Sequence, residues 1–411
     1  MTRRRLGGNV AAALIGALVG ALVVLGADGL TRTIGRGAGG AEERVARSPD
    51  EPRPRTSAHG NVLLAWSPRP SVSPLRAGGL PANTEAVLEA MRGVRGATTV
   101  IAGVDWMSST RAADGTKIDS PRRGLSIPIE AAIVKPREYA SFVPAPERDA
   151  VLALGEGEVL LAETEAELRG AGGGLTMRMT DGRVRVASVV SDIATNGYEV
   201  LMRGSVPEGW TRADRFVLLR LDHAGRRRAV RRRILSLLPA GSVLRIRSQR
   251  ETPFLRYGDA VQPQLMIKKS FGEFAARPLP DGRISIDPGW ISNNIRRARV
   301  PILGRVACHR ALFPQLRGAL RDVRANGIAY VINPQDFGGC FSPRFISRQP
   351  GGRLSHHAWG IALDFNVSEN GFGTKADQDE RLVETMEAWG FTWGGRWLIP
   401  DGMHFEWNRW P

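Results

Sequence analysis

Residues 9–27 (NVAAALIGALVGALVVLGA) carry no charge, and Arg3, Arg4 and Arg5 stand just ahead of them. A charge-free stretch of 19 residues is just long enough to cross a bilayer as one helix. Arginines before it and Asp28 after it favour an N-inside orientation, so everything beyond it has to fold outside the cytoplasm. A cleaved export signal has the same order of charged and apolar residues. Its apolar core, however, spans only about 7–15 residues and ends at a small-residue site, and no clean A-x-A follows here. The sequence therefore favours a single-pass anchor within residues 1–28, with secretion as the alternative; the bulk of the chain is exported either way.

Export bears on the charge and on the cysteines. The 411 residues hold 57 Lys+Arg against 41 Asp+Glu, a net charge of +16, which calls for a polyanionic neighbour. Outside the cytoplasm nucleic acid is not the natural partner, which leaves anionic membrane surface or cell-wall polymer. Only two cysteines are present, Cys308 and Cys340, and in an oxidising compartment an even count points to a bridge rather than two buried thiols. With 42% hydrophobic and 24% charged residues, the chain is neither disordered nor a multi-span transporter, and its length suits two or three domains.

Residues 29–60, rich in Gly, Arg, Pro and Ser, read as a flexible linker. From 61 to about 250 the chain reads as a mixed α+β domain. Short apolar runs at 62–66, 98–104, 158–163, 183–190 and 216–221 predict strands, and NTEAVLEAMRGV (83–94) predicts a helix capped by Asn83. An arginine-rich stretch at 226–233, beside His223, reads as a solvated hairpin, or else as a patch for anionic polymer or lipid headgroups. Residues 80–106 faintly resemble the extracytoplasmic domains of ABC-exporter permeases.

A second α+β domain with a small antiparallel sheet is expected over 265–411. Leu312, Leu316, Leu320 and Val323 fall on one helical face ended by Asn326-Gly327. Strands are expected at 328–333, 360–367 and 403–408, with a helix at 377–389 stopped by Gly390.

The chemistry concentrates at the C-terminal end. Residues 355–364 read SHHAWGIALD and residues 401–406 read DGMHFE. If the chain turns at Gly360 and enters a strand, His357 and Asp364 can meet at one point, and His404 on a last strand supplies a third ligand. Two histidines and a carboxylate with an open fourth position make a catalytic rather than a structural zinc set, for one Zn2+. Asp401, three residues before His404, is placed to act as the base, and Glu406 can orient a ligand or serve as a salt-bridge partner. His356 reads as a neighbour of His357, and Ser355 as a loop cap. Of the six tryptophans Trp359, Trp389, Trp393, Trp397, Trp407 and Trp410, most read as core, with Trp359 or Trp393 lining the cleft.

These two motifs resemble the zinc D-alanyl-D-alanine carboxypeptidase and L-alanyl-D-glutamate endopeptidase family, which acts on peptidoglycan stem peptides. The resemblance covers roughly 265–411. It implies zinc ligation by His357, Asp364 and His404, and catalysis by Asp401. An Asp at that position, where the vancomycin-resistance dipeptidases carry Glu, is similar to the endopeptidase branch. GGCFSPRFI (338–346) is similar to the segment whose arginine meets the substrate carboxylate or oxyanion, which implies that role for Arg344. A non-catalytic wall-binding or scaffold protein on the same fold has no need of Asp401.

Overall fold

A computed structural model describes residues 62–66, 80–170, 172–210, 212–221, 227–239, 242–247, 254–256, 262–397 and 399–409. The apolar stretch 9–27, the linker 29–60, His223, Arg226 and Trp410 lie outside the described residues. Among the described residues no helix is long and apolar enough to cross a membrane.

The first half is built on a mixed sheet of 11 strands. Near its centre lies Ile127–Ile133 (IPIEAAI), buried at every position, which explains a near-continuous apolar run in place of alternation. Val94–Met107 pairs antiparallel with it on one side, and Val200–Met202 runs parallel on the other. The expected strands appear at Val62–Trp66, Glu158–Ala162, Gly182–Val190 and Asp214–Leu221. The expected helix at 83–94 is shorter, Thr84–Glu89, and Asn83 makes no side-chain cap; Gly93, at φ 98°, turns the chain straight into the long strand. The arginine-rich stretch is not a hairpin but a helix, Arg227–Leu237. Val230, Ile234 and Leu238, four residues apart, pack on the sheet while Arg231, Arg232 and Arg233 stay in water.

The second half has its own apolar cluster, including Leu316, Leu320, Phe345, Trp359, Phe391 and Phe405. The helix Phe313–Ala325 carries the expected face, and Gly327, at φ 71°, ends it. The strand expected at 328–333 is instead a 3-10 turn, Ala329–Val331. Ile328 and Ile332 are buried and Tyr330 is 74% exposed, so the apolar spacing is four, not two. The later helix is Glu380–Ala388, capped by Asp379. Three short antiparallel strands, Ala362–Asp364, His404–Trp407 and Phe391–Trp393, form the small sheet, with His404–Trp407 in the middle.

The helix Gln264–Phe271 joins the two halves. Its Lys268, fully buried, pairs with Glu199 of the large sheet at 2.7 Å and with Glu273 at 3.0 Å, and Arg169 pairs with Asp119, Glu165 and Glu273. Burial works against the Lys268 ammonium, but Glu199, Glu273 and Glu165 overcome it and keep it charged. Removing one member of such a group strands an uncompensated charge, at about 3–5 kcal/mol.

The C-terminal end of that helix is held from the other side. The Phe271 carbonyl accepts from His309 Nε2 at 3.2 Å, while His309 Nδ1 accepts the Ala311 N–H at 3.2 Å. An imidazole with one accepting nitrogen is neutral, and burial pushes its pKa down to about 4, against 6.5 when free. In that window the unfolded chain binds the extra proton. Stability is therefore full above pH 6.5 and falls as pH drops towards 4, by about 3 kcal/mol in all. Denaturant melts across this range are expected to show a smaller acid loss for His309→Gln than for the parent chain. Equal losses contradict the assignment.

Candidate metal centre

Strand register brings two of the three expected ligands together. Ala362–Asp364 pairs antiparallel with His404–Trp407 so that Asp364 lies directly opposite His404 and Ala362 opposite Glu406. Glu406, two residues along, shares the face of His404. The third ligand comes from the 3-10 turn His356–Ala358, where the Ser355 hydroxyl accepts the His357 N–H. Between turn and strand the chain reverses at Gly360, at φ 70°. A Cβ there would sit 2.7 Å from the His309 nitrogen, so only glycine fits.

His357, Asp364 and His404 are all buried, and one ligand atom from each lies within 4.8 Å of the others. His357 Nε2 and His404 Nδ1 each stand 3.1 Å from Asp364 Oδ1. The far nitrogen of each ring is engaged. His357 Nδ1 donates to the Cys340 carbonyl at 2.9 Å, and His404 Nε2 donates to Glu406 Oε2 at 3.2 Å. With the outer nitrogens carrying the ring protons, a cation that displaces the proton shared with Asp364 would meet both inner lone pairs and a carboxylate oxygen at one point. Two imidazole nitrogens and one carboxylate oxygen, each backed by an outer hydrogen bond, fit a divalent cation such as zinc.

The electrostatics agree with that fit. Burial keeps His357 neutral, lowering its pKa against the pull of Asp364. Burial alone would raise Asp364, but His357 and His404 hold its carboxyl far below the usual range. Burial also disfavours a charged His404, yet hydrogen bonds to Asp364 and Glu406 push its pKa up to about 10. A field that draws a proton that strongly draws a divalent cation by the same means.

Arg344 approaches from the 338–346 loop, with Nη2 3.9 Å from Asp364 Oδ2. Asp401 sits in the turn before the middle strand, where its carbonyl accepts the His404 N–H at 3.1 Å. Its Oδ1 is buried and has no hydrogen-bond partner among the described residues. Burial raises its pKa, countered by His404 and reinforced by Asp364. All five expected site residues thus gather at one place.

Three features escape the sequence. The Cys340 carbonyl that fixes His357 is backbone and leaves no side-chain signal; the Cys308–Cys340 disulfide, with Cα atoms 5.3 Å apart, anchors it. Glu406, expected to orient a ligand or serve as a salt-bridge partner, faces His404 and, unforeseen, also holds His356, whose Nδ1 lies 2.6 Å away. The tryptophan beside the site is Trp397, with its ring 5.3 Å from His404, and not Trp359 or Trp393. Those two are core residues, tied to the Gly272 and Gly402 carbonyls. Because Glu406 sets the His404 tautomer, Glu406→Gln is expected to weaken zinc binding by roughly 10–100-fold in a chelator-competition titration. Unchanged affinity contradicts that role.

Fold and site together define a C-terminal α+β domain with a buried His-Asp-His group able to hold a metal ion. Residues 348–407 match the family model described as D-alanyl-D-alanine carboxypeptidase. The matched span takes in the three ligands and Asp401; Arg344 lies just ahead of it. No curated protein matches the chain. Among solved structures the chain is similar to the periplasmic region of MacB from Actinobacillus actinomycetemcomitans, at 10% identity and a TM-score of 0.30, covering 45% of this chain and 88% of that one. It is also similar to the extracellular domain of the noncanonic ABC-type transporter YknZ from Gram-positive bacteria, at 13% identity and a TM-score of 0.28, covering 46% and 100%.

Proposed function

We propose that this protein is a membrane-anchored, extracytoplasmic zinc peptidase that hydrolyses an amide bond in peptidoglycan stem peptides. The observation that carries the reading is the convergence of His357 Nε2, His404 Nδ1 and Asp364 Oδ1, each histidine fixed from behind. One zinc ion held there supplies Lewis acidity towards the scissile carbonyl and lowers the pKa of water. Asp401, with a free carboxylate oxygen and a pKa raised by burial, takes the proton from the attacking water and passes it to the departing amine nitrogen. Arg344 offers a guanidinium to the substrate carboxylate or to the oxygen that gains negative charge. Export is supported by the disulfide and by the charge-free stretch 9–27.

Asp rather than Glu at 401 leans the choice of bond towards an internal one. Incubating the full chain with purified stem peptides and weighing the products tests both levels of the reading. A larger peptide fragment identifies an endopeptidase and free D-alanine a carboxypeptidase; intact substrate from the metal-loaded protein overturns the proposal.

A further inference from the structure

From residue 288 to residue 321 the chain carries seven arginines and no Asp, Glu or Lys. This stretch holds the hairpin Ile295–Val300 and Gly304–His309, and the start of the helix behind it. On the inner face Val300, Val306 and Cys308 are buried in the core. On the outer face Arg299 lies directly opposite Arg305, and Arg297 follows two residues along the same strand. All three are exposed, and among the described residues no carboxylate pairs with any of them. Arg317 adds a fourth charge at the hairpin's edge, its Nε donating to the Arg299 carbonyl at 3.3 Å and its guanidinium lying 5.2 Å from the Phe313 ring centre.

Like charges placed directly across an antiparallel pair destabilise it. A row of guanidinium groups fixed on a rigid hairpin, with no acid among the described residues to neutralise them, has its counter-charge elsewhere. We infer that this face binds a flexible polymer bearing repeated phosphate groups. Guanidinium forks match phosphate oxygens two at a time, which suits a stretch whose cations are all arginine. A membrane surface fits less well, because none of the large hydrophobic side chains exposed on the protein lies between 288 and 321, and a face that settles into lipid needs such anchors. The hairpin is also continuous with the metal centre. The Ala307 carbonyl accepts the Phe341 N–H at 2.9 Å, and Cys340, the neighbouring residue, holds His357. A polymer docked on this face lies on the same rigid piece as the ligand turn. The inference stands apart from the peptidase reading and is tested without turnover.

Linear inorganic polyphosphate is the probe, titrated against the full chain at several salt concentrations. Arg297→Gln/Arg299→Gln/Arg305→Gln is compared with Arg231→Gln/Arg232→Gln/Arg233→Gln on the helix Arg227–Leu237, which removes the same charge from another exposed face. The hairpin variant is expected to lose at least about tenfold in affinity at about 0.1 M salt and to flatten the salt slope by about two to three, with the helix variant close to the parent. Its melting temperature is expected to hold or rise, because repulsion is relieved. Equal losses in the two variants reduce the effect to net charge and overturn the inference. An unaffected hairpin variant, or one that melts earlier than the parent, overturns it as well. So does loss of binding to phosphatidylglycerol vesicles alone with polyphosphate binding intact, which assigns the face to membrane.

Discussion

Asp401→Ala is expected to lower turnover of a peptidoglycan peptide by about a thousandfold while one zinc ion stays bound. The candidate ligand atoms belong to His357, Asp364 and His404, and among the described residues the Asp401 side chain makes no hydrogen bond that holds any of them. What it contributes is a carboxylate oxygen without a partner, buried beside His404 and carrying a raised pKa. An oxygen of that kind costs stability unless it has work to do. The variant is therefore expected to melt at or above the parent's temperature even as the rate collapses. Metal analysis, a thermal melt and single-substrate kinetics check the three parts together; substantial activity in Asp401→Ala assigns the proton transfer to another group.

Asp364→Ala has a comparably large effect through a different step, the loss of the metal itself. Asp364 Oδ1 is the atom on which both imidazoles converge, and its negative charge compensates a cation buried between two neutral rings. Without it two nitrogen donors remain, too few for a stable zinc site. Metal content after gel filtration is expected to fall from about one equivalent to near zero, with far-ultraviolet circular dichroism unchanged, because Ala362 and Leu363 keep the strand in register. Full zinc occupancy in this variant places the ion elsewhere.

The meeting of the three candidate ligands was legible in the sequence because it follows local rules. Asp364 and His404 face each other through strand pairing, and His357 returns to them through a glycine whose positive φ no other residue adopts at that contact. The cysteine pairing was legible from count and compartment. What failed did so where period was short or where the partner was not a side chain. Residues 328–332 look like a strand until Tyr330 is seen to be exposed between two isoleucines four apart. The arginines at 226–233 suggest a solvated hairpin, yet Val230, Ile234 and Leu238 carry a helical stripe through and beyond them. Nothing in the sequence announces that a carbonyl at Cys340 holds a ligand, or that Lys268 pairs with Glu199, more than sixty residues away at the start of a sheet strand. Long-range pairing of buried charges has no local pattern to read.

Cleavage of a purified stem peptide by the full chain, followed by product mass before chelation, after chelation and after return of one equivalent of zinc, tests the metallopeptidase reading most directly. Activity is expected to vanish with the chelator and to return with the zinc. Cleavage that persists after the metal has been stripped contradicts it.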